Sequence, residues 1–98
     1  MSIDLAAFRR SLQDADPPPG LPLALQGLWW DGKGEWDRAH RCAQQQHDSL
    51  GAAVHAYLHR KEGDLANARY WYDRAGRAAS SGALEAEWSA LVAELLGS

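Results

Sequence analysis

β-Branched residues are almost missing from this chain. Ile3, Val54 and Val92 are the only ones, threonine is absent, and alanine occurs 18 times in 98 residues. Strands use branched and aromatic side chains to fill a pleated surface, whereas alanine enters a helix without losing side-chain freedom. The chain is therefore expected to be all-α. Its length suits a single domain, residues 1–98, with one modest core.

Punctuation divides the chain. Leu5, Phe8, Leu12 and Ala15 recur at helical spacing, which predicts an N-terminal helix over 2–15 with Ser2 as its N-cap. Pro17, Pro18 and Pro19 cannot continue it, so 16–21 reads as a semi-rigid connector. Pro22 can open a second helix, to about Trp30, where a missing N–H costs nothing. A third runs from about Glu35 to Gln46, a fourth from Asp48 or Ser49 to about Lys61, and a fifth from Leu65 to about Ala75. Gly76 is placed to end the fifth helix in a left-handed conformation. Ser80 or Ser81 opens a last helix over 81–96, whose Leu84, Trp88, Leu91, Val92 and Leu95 form one apolar stripe. That stripe must be covered, either by capping this chain's own helices or by pairing with a second chain.

The middle of the chain matches itself after a shift of 29 residues. Ala24 meets Ala53, Leu25 meets Val54, Leu28 meets Tyr57, Trp29 meets Leu58, Gly34 meets Gly63, Glu35 meets Asp64, Trp36 meets Leu65 and Ala39 meets Ala68. Two helical hairpins follow, 22–47 and 48–76, each a helix, a glycine turn and a second helix. Repeats of this kind bury their apolar faces only by stacking.

The string Gly63-Asp64-Leu65, followed by Ala68, Tyr72 and Ala75, resembles the turn and second helix of tetratricopeptide (TPR) and Sel1-like repeats. Gly34-Glu35-Trp36 and Ala39 fit the same pattern, and Trp30 fits the aromatic position before the turn. Ala43, Gln46 and His59 depart from it, the 29-residue period is short for either family, and no terminal proline is present. The stretch His55–Gly76 also resembles small bacterial proteins to which no role attaches. The repeat resemblance covers about 24–76. It implies a non-catalytic scaffold for a protein or peptide partner; self-association as a homodimer is the variant of this reading that the apolar stripe of the last helix suggests. The resemblance further implies that first helices line a concave groove, which nominates Gln26, Trp30, His55 and His59 for partner binding. The competing reading has those side chains facing solvent or the terminal helices.

Helical geometry at about 100° per residue sorts the rest. Leu50, Ala53, Val54, Tyr57 and Leu58 share one side of the fourth helix, opposite His55 and His59. Gly27 and Ala56 are small enough for the two first helices to approach closely. Leu65, Ala68, Tyr72 and Ala75 form the expected buried stripe of the fifth helix, with Tyr70 pointing away. Trp29-Trp30 and Tyr70-Trp71-Tyr72 cannot all face one core, so some aromatic surface is left exposed or covered by a terminal helix.

Other chemistries have weaker footings. His55 and His59 stand four apart with Glu62 three further on, a spacing that could hold a metal ion. Small-ligand or metal binding through these three is the alternative function; His40 and His47 lie on another predicted segment with no assured proximity. The leading reading needs no cofactor and no metal. Cys42 lacks a partner for a disulfide or a thiolate zinc site, sits among alanines as a packing residue, and points to a reducing, cytoplasmic setting. Gly32-Lys33-Gly34 is too short for a phosphate loop. Arg69, Tyr70, Arg74 and Arg77 could stack on single-stranded nucleic acid. However, Asp64, Asp73 and a net charge of −3 break any continuous basic track, so no nucleic-acid partner is expected. No run approaches the roughly 20 apolar residues of a membrane span, and the N-terminus lacks the charge order of a signal peptide.

Overall fold

The computed structural model describes residues 3–97 and is all-α, with six helices and no strand among them. They are α1 (Leu5–Ser11), α2 (Leu23–Gly32), α3 (Trp36–Gln44), α4 (Ser49–Glu62), α5 (Leu65–Ala75) and α6 (Leu84–Gly97).

The central four form two hairpins, α2 on α3 and α4 on α5, joined along the α3–α4 contact. Their turns are built alike. Gly34 and Gly63 both take positive φ, 83° and 91°. Past each glycine the chain closes back on its helix in the same register. The Glu35 N–H donates to the Trp30 carbonyl at 2.9 Å, and the Asp64 N–H donates to the His59 carbonyl at 3.0 Å. This is the Schellman pattern, which satisfies carbonyls that a helix end leaves open. Donor and acceptor pairs are 29 residues apart, so the internal repeat holds at the level of backbone hydrogen bonds. Equivalent side chains share a fate as well: Ala24 and Ala53, Leu25 and Val54, Leu28 and Tyr57, Trp29 and Leu58, and Ala39 and Ala68 are all buried.

Several expectations need correction. α1 does not run to Ala15. Three tightened bonds, from the N–H groups of Leu12, Gln13 and Asp14 to carbonyls three residues back, unwind its end. The Lys33 ammonium then takes the Leu12 and Asp14 carbonyls at 2.7 and 2.9 Å. The predicted N-cap Ser2 lies outside the described residues. Asp4 caps α1, accepting from the Ala7 N–H at 2.8 Å. The connector accordingly starts before residue 16. α3 ends at Gln44, two residues short of Gln46. α6 begins at Leu84, so neither Ser80 nor Ser81 caps it, and it runs to Gly97. The atoms nearest Gly27 belong to α3 rather than α4. A Cβ there would lie 2.9 Å from the Ala39 carbonyl oxygen, so its smallness serves the α2–α3 approach. Ala56 likewise packs on Ala68 and Tyr72 of α5.

α6 lies across α4, α2 and α1. Trp88, Leu91, Val92 and Leu95 are buried, so the stripe is covered within the chain except at its first residue, Leu84, which is 36% exposed. The Trp88 indole N–H donates to the Leu28 carbonyl at 2.9 Å, and its ring tilts against Phe8 at 5.7 Å. Glu87 joins three helices by accepting from Arg60 of α4 at 2.8 Å and from the Tyr72 hydroxyl of α5. Burial and that carboxylate push the Tyr72 phenol up. On the far side, buried Asp31 is held by the Tyr57 hydroxyl at 2.7 Å and the Lys61 ammonium at 2.8 Å, so its charge does not stand alone. Among the described residues, no helix is long and apolar enough to cross a membrane.

Candidate functional site

α4 is buried on every side from Gly51 to His59. His55 and His59 do project away from Tyr57 and Leu58, but that side is closed by α3 and α5 and forms no open groove. They are 5% and 6% exposed. Of the other proposed partner-binding residues, Gln26 is half-buried and donates to the Leu21 carbonyl at 2.8 Å. Trp30 is half-buried beneath the Arg38 guanidinium, 4.2 Å above its ring.

The helix that closes over His55 and His59 brings a third imidazole. His40 sits one turn after Trp36 on α3, and its Nε2 lies 2.9 Å from His55 Nε2, so one ring shares its proton with the other. A ligand nitrogen from each of His40, His55 and His59 falls within 4.8 Å of the other two. Glu62 does not join them. Its carboxylate instead holds His59 from outside, Oε2 to Nδ1 at 2.7 Å. Among the described residues two sets converge, the three histidines and, more exposed, His59 with Glu62 and Asp64; His55, His59 and Glu62 do not form one. His47 is exposed and stands apart from this cluster.

Two indoles wall the cluster. Trp36 stacks on His40 with centroids 5.0 Å apart and planes 9° apart, fixed by its N–H on the Leu58 carbonyl at 2.9 Å. Trp71 of α5 stacks on His55 at 3.9 Å and 13°. Arg74 lies over the outer side of this assembly, 5.4 Å from the Trp71 ring. A cleft of about 320 Å³ at the α3–α4 corner reaches inward to His55, with Gln44, His47, Asp48, Trp71 and Arg74 on its walls.

Burial, then the neighbouring His40 and His59, press the His55 pKa down to about 4, and burial together with His59 lowers that of His40. Both rings are neutral nitrogen donors at ordinary pH. The sign of the linkage follows. An unfolded His55 takes up a proton near 6.5, the folded one only near 4, so stability is whole above 6.5 and is lost as pH falls through that window. Unfolding free energies from urea titrations are expected to drop by roughly 2 kcal/mol between neutral pH and about pH 5. His55→Gln should shrink that drop; an unchanged pH profile in this variant would contradict the assignment.

Elsewhere the surface differs from expectation at one telling place. Ala68, Tyr72 and Ala75 are buried as the wheel requires, but Leu65 is 61% exposed. Its repeat counterpart Trp36 is packed under α4, whereas no further hairpin covers α5. Tyr70 is exposed, and Trp71 is half-buried. Cys42 is half-buried beside Gly27, and burial raises its thiol pKa, which suits packing rather than attack. No family model, curated protein or solved structure matches the chain, and the site stands on its own geometry.

Proposed function

We propose that the chain is a non-catalytic, TPR-like helical scaffold of the cytoplasm that binds protein through the open ends of its two-hairpin array. The exposure of Leu65 carries this reading. At the α3–α4 joint, Trp36 and His40 of one hairpin meet His55 and His59 of the next. Shifted by 29 residues, the trailing end offers Leu65 and Arg69, and the leading end offers Gln26 and Trp30. The simplest occupant is a second copy stacked head to tail, α5 of one against α2 of the other, in the manner of α3 on α4. α6 already lies across α2 and α4, and α3 and α5 close the His55 and His59 side, which leaves the ends of the array. The acidic net charge and the interruption of the α5 arginines by Asp73 speak against nucleic acid.

Head-to-tail contacts need not close into a dimer. In sedimentation over a concentration series, the mean mass should rise above that of one chain. Leu65→Asp is expected to abolish the rise. It should change stability by no more than about 0.5 kcal/mol, because the position is at the surface. A native chain that sediments as one copy throughout would overturn self-association.

A further inference from the structure

We propose that His40, His55 and His59 form a site for a divalent transition cation, zinc in the first instance, with Glu62 as the positioning residue for His59. The donor set is right for such an ion: imidazole nitrogens suit zinc, copper and nickel and offer little to calcium or magnesium. Three protein ligands around zinc leave a fourth place for water or an incoming group.

The geometry is close to what the ion needs. Zinc–nitrogen bonds of about 2.0–2.1 Å around a tetrahedral ion put ligand nitrogens about 3.3 Å apart. The cluster brackets that value, from 2.9 Å between His40 and His55 to an upper bound of 4.8 Å across the set. Small ring rotations close the difference. The proton now shared between the two Nε2 atoms has to leave the face that receives the metal, and the Nδ1 of the same ring can take it.

The surroundings favour the same use. Metal-binding histidines generally donate their other N–H to a carboxylate, which fixes the ring and strengthens it as a ligand. His59 has that partner in place, because Glu62 occupies Nδ1 and leaves Nε2 for the cluster. The stacked indoles of Trp36 and Trp71 limit His40 and His55 to small departures from the orientations they hold. A buried site also needs a way in, and the cleft lined by His47, Asp48 and Arg74 ends on His55. The ligands come from two helices of different hairpins, His40 from α3 and the other two from α4, so an ion would bridge the joint between the repeats.

The test uses the native chain at neutral pH. One equivalent of zinc is expected to shift the ring-proton NMR signals of His40, His55 and His59 together and to leave His47 unmoved. Cobalt in place of zinc should give the visible absorption of a four-coordinate ion. By calorimetry, His40→Gln should weaken zinc binding by at least about tenfold, and Glu62→Gln by about 10- to 100-fold. His47→Gln should leave it unchanged. If the signals of the cluster stay put at excess zinc, or if only His47 moves, the proposal fails. It also fails if a His40→Gln protein with native circular dichroism binds zinc as the native chain does. Should His40→Gln not fold, the NMR result on the native chain decides alone.

Discussion

Removing residues 82–98 is expected to leave a chain that no longer melts cooperatively. α6 contributes Trp88, Leu91, Val92 and Leu95 to the core, all 4% exposed or less. Full burial of one large apolar side chain is worth roughly 1.5–3 kcal/mol. Four together approach the whole stability of a domain, about 5–15 kcal/mol. The loss is not confined to the removed helix. Phe8 loses its ring partner, and Leu28 loses the indole on its carbonyl. Arg60 and Tyr72 lose the carboxylate they share. The truncated product should keep helical circular dichroism in part, bind hydrophobic dyes and melt without a sharp transition. A truncated chain with the native melting temperature would show that the two hairpins stand alone and that α6 is an accessory.

Gly51→Ala is expected to destabilise the protein by about 3 kcal/mol, at the upper end of the usual range for overpacking. The sign is the informative part, because glycine to alanine inside a helix ordinarily gains about 1 kcal/mol. A Cβ on Gly51 would lie 1.9 Å from the carbonyl oxygen of Gln46 and 2.8 Å from its carbonyl carbon. Both are backbone, so no rotamer change relieves the clash. The α3–α4 loop would have to move, and Gln46 is tied at both ends of its amide. Its Oε1 accepts the Ala24 N–H at 2.7 Å, and its Nε2 donates to Asp48, the N-cap of α4. One methyl group therefore disturbs the starts of two helices. A thermal melt at or above that of the native chain would place the loop farther away than described.

How much of this was legible depended on whether a residue speaks for itself or through a neighbour. α5 is bounded as expected because its limits are written locally: Asp64 caps its start, accepting from the Asn67 N–H at 3.2 Å, and Gly76 ends it at φ 71°. α1 is shorter than its pattern because Leu12 and Ala15 continue the apolar spacing, while the groups that end the helix come from elsewhere, above all the Lys33 ammonium. Leu65 looked buried on the same wheel that correctly buried Ala68 and Tyr72. A wheel gives direction, and only the number of repeats says whether anything lies in that direction. The histidine site was half visible. His55 and His59 share a face by spacing, but His40 enters through the packing of α3 on α4. The signal was present in the repeat register, which sets the face of Trp36 and His40 against that of His55 and His59.

The enclosure of α4 has a mechanical consequence. A helix packed on all sides over residues 51–59 offers no surface on which substitution is free, so change in this chain is confined to the outer sides of its neighbours. The same enclosure makes α4 the axle of the molecule. α2, α3, α5 and α6 all pack against it. The well-packed contacts of Ala53, Val54, Tyr57 and Leu58 therefore hold the two hairpins together through this one helix. His40 reaches across to His55 at the joint itself, so a side-chain contact between the hairpins is added to the apolar packing of their helices.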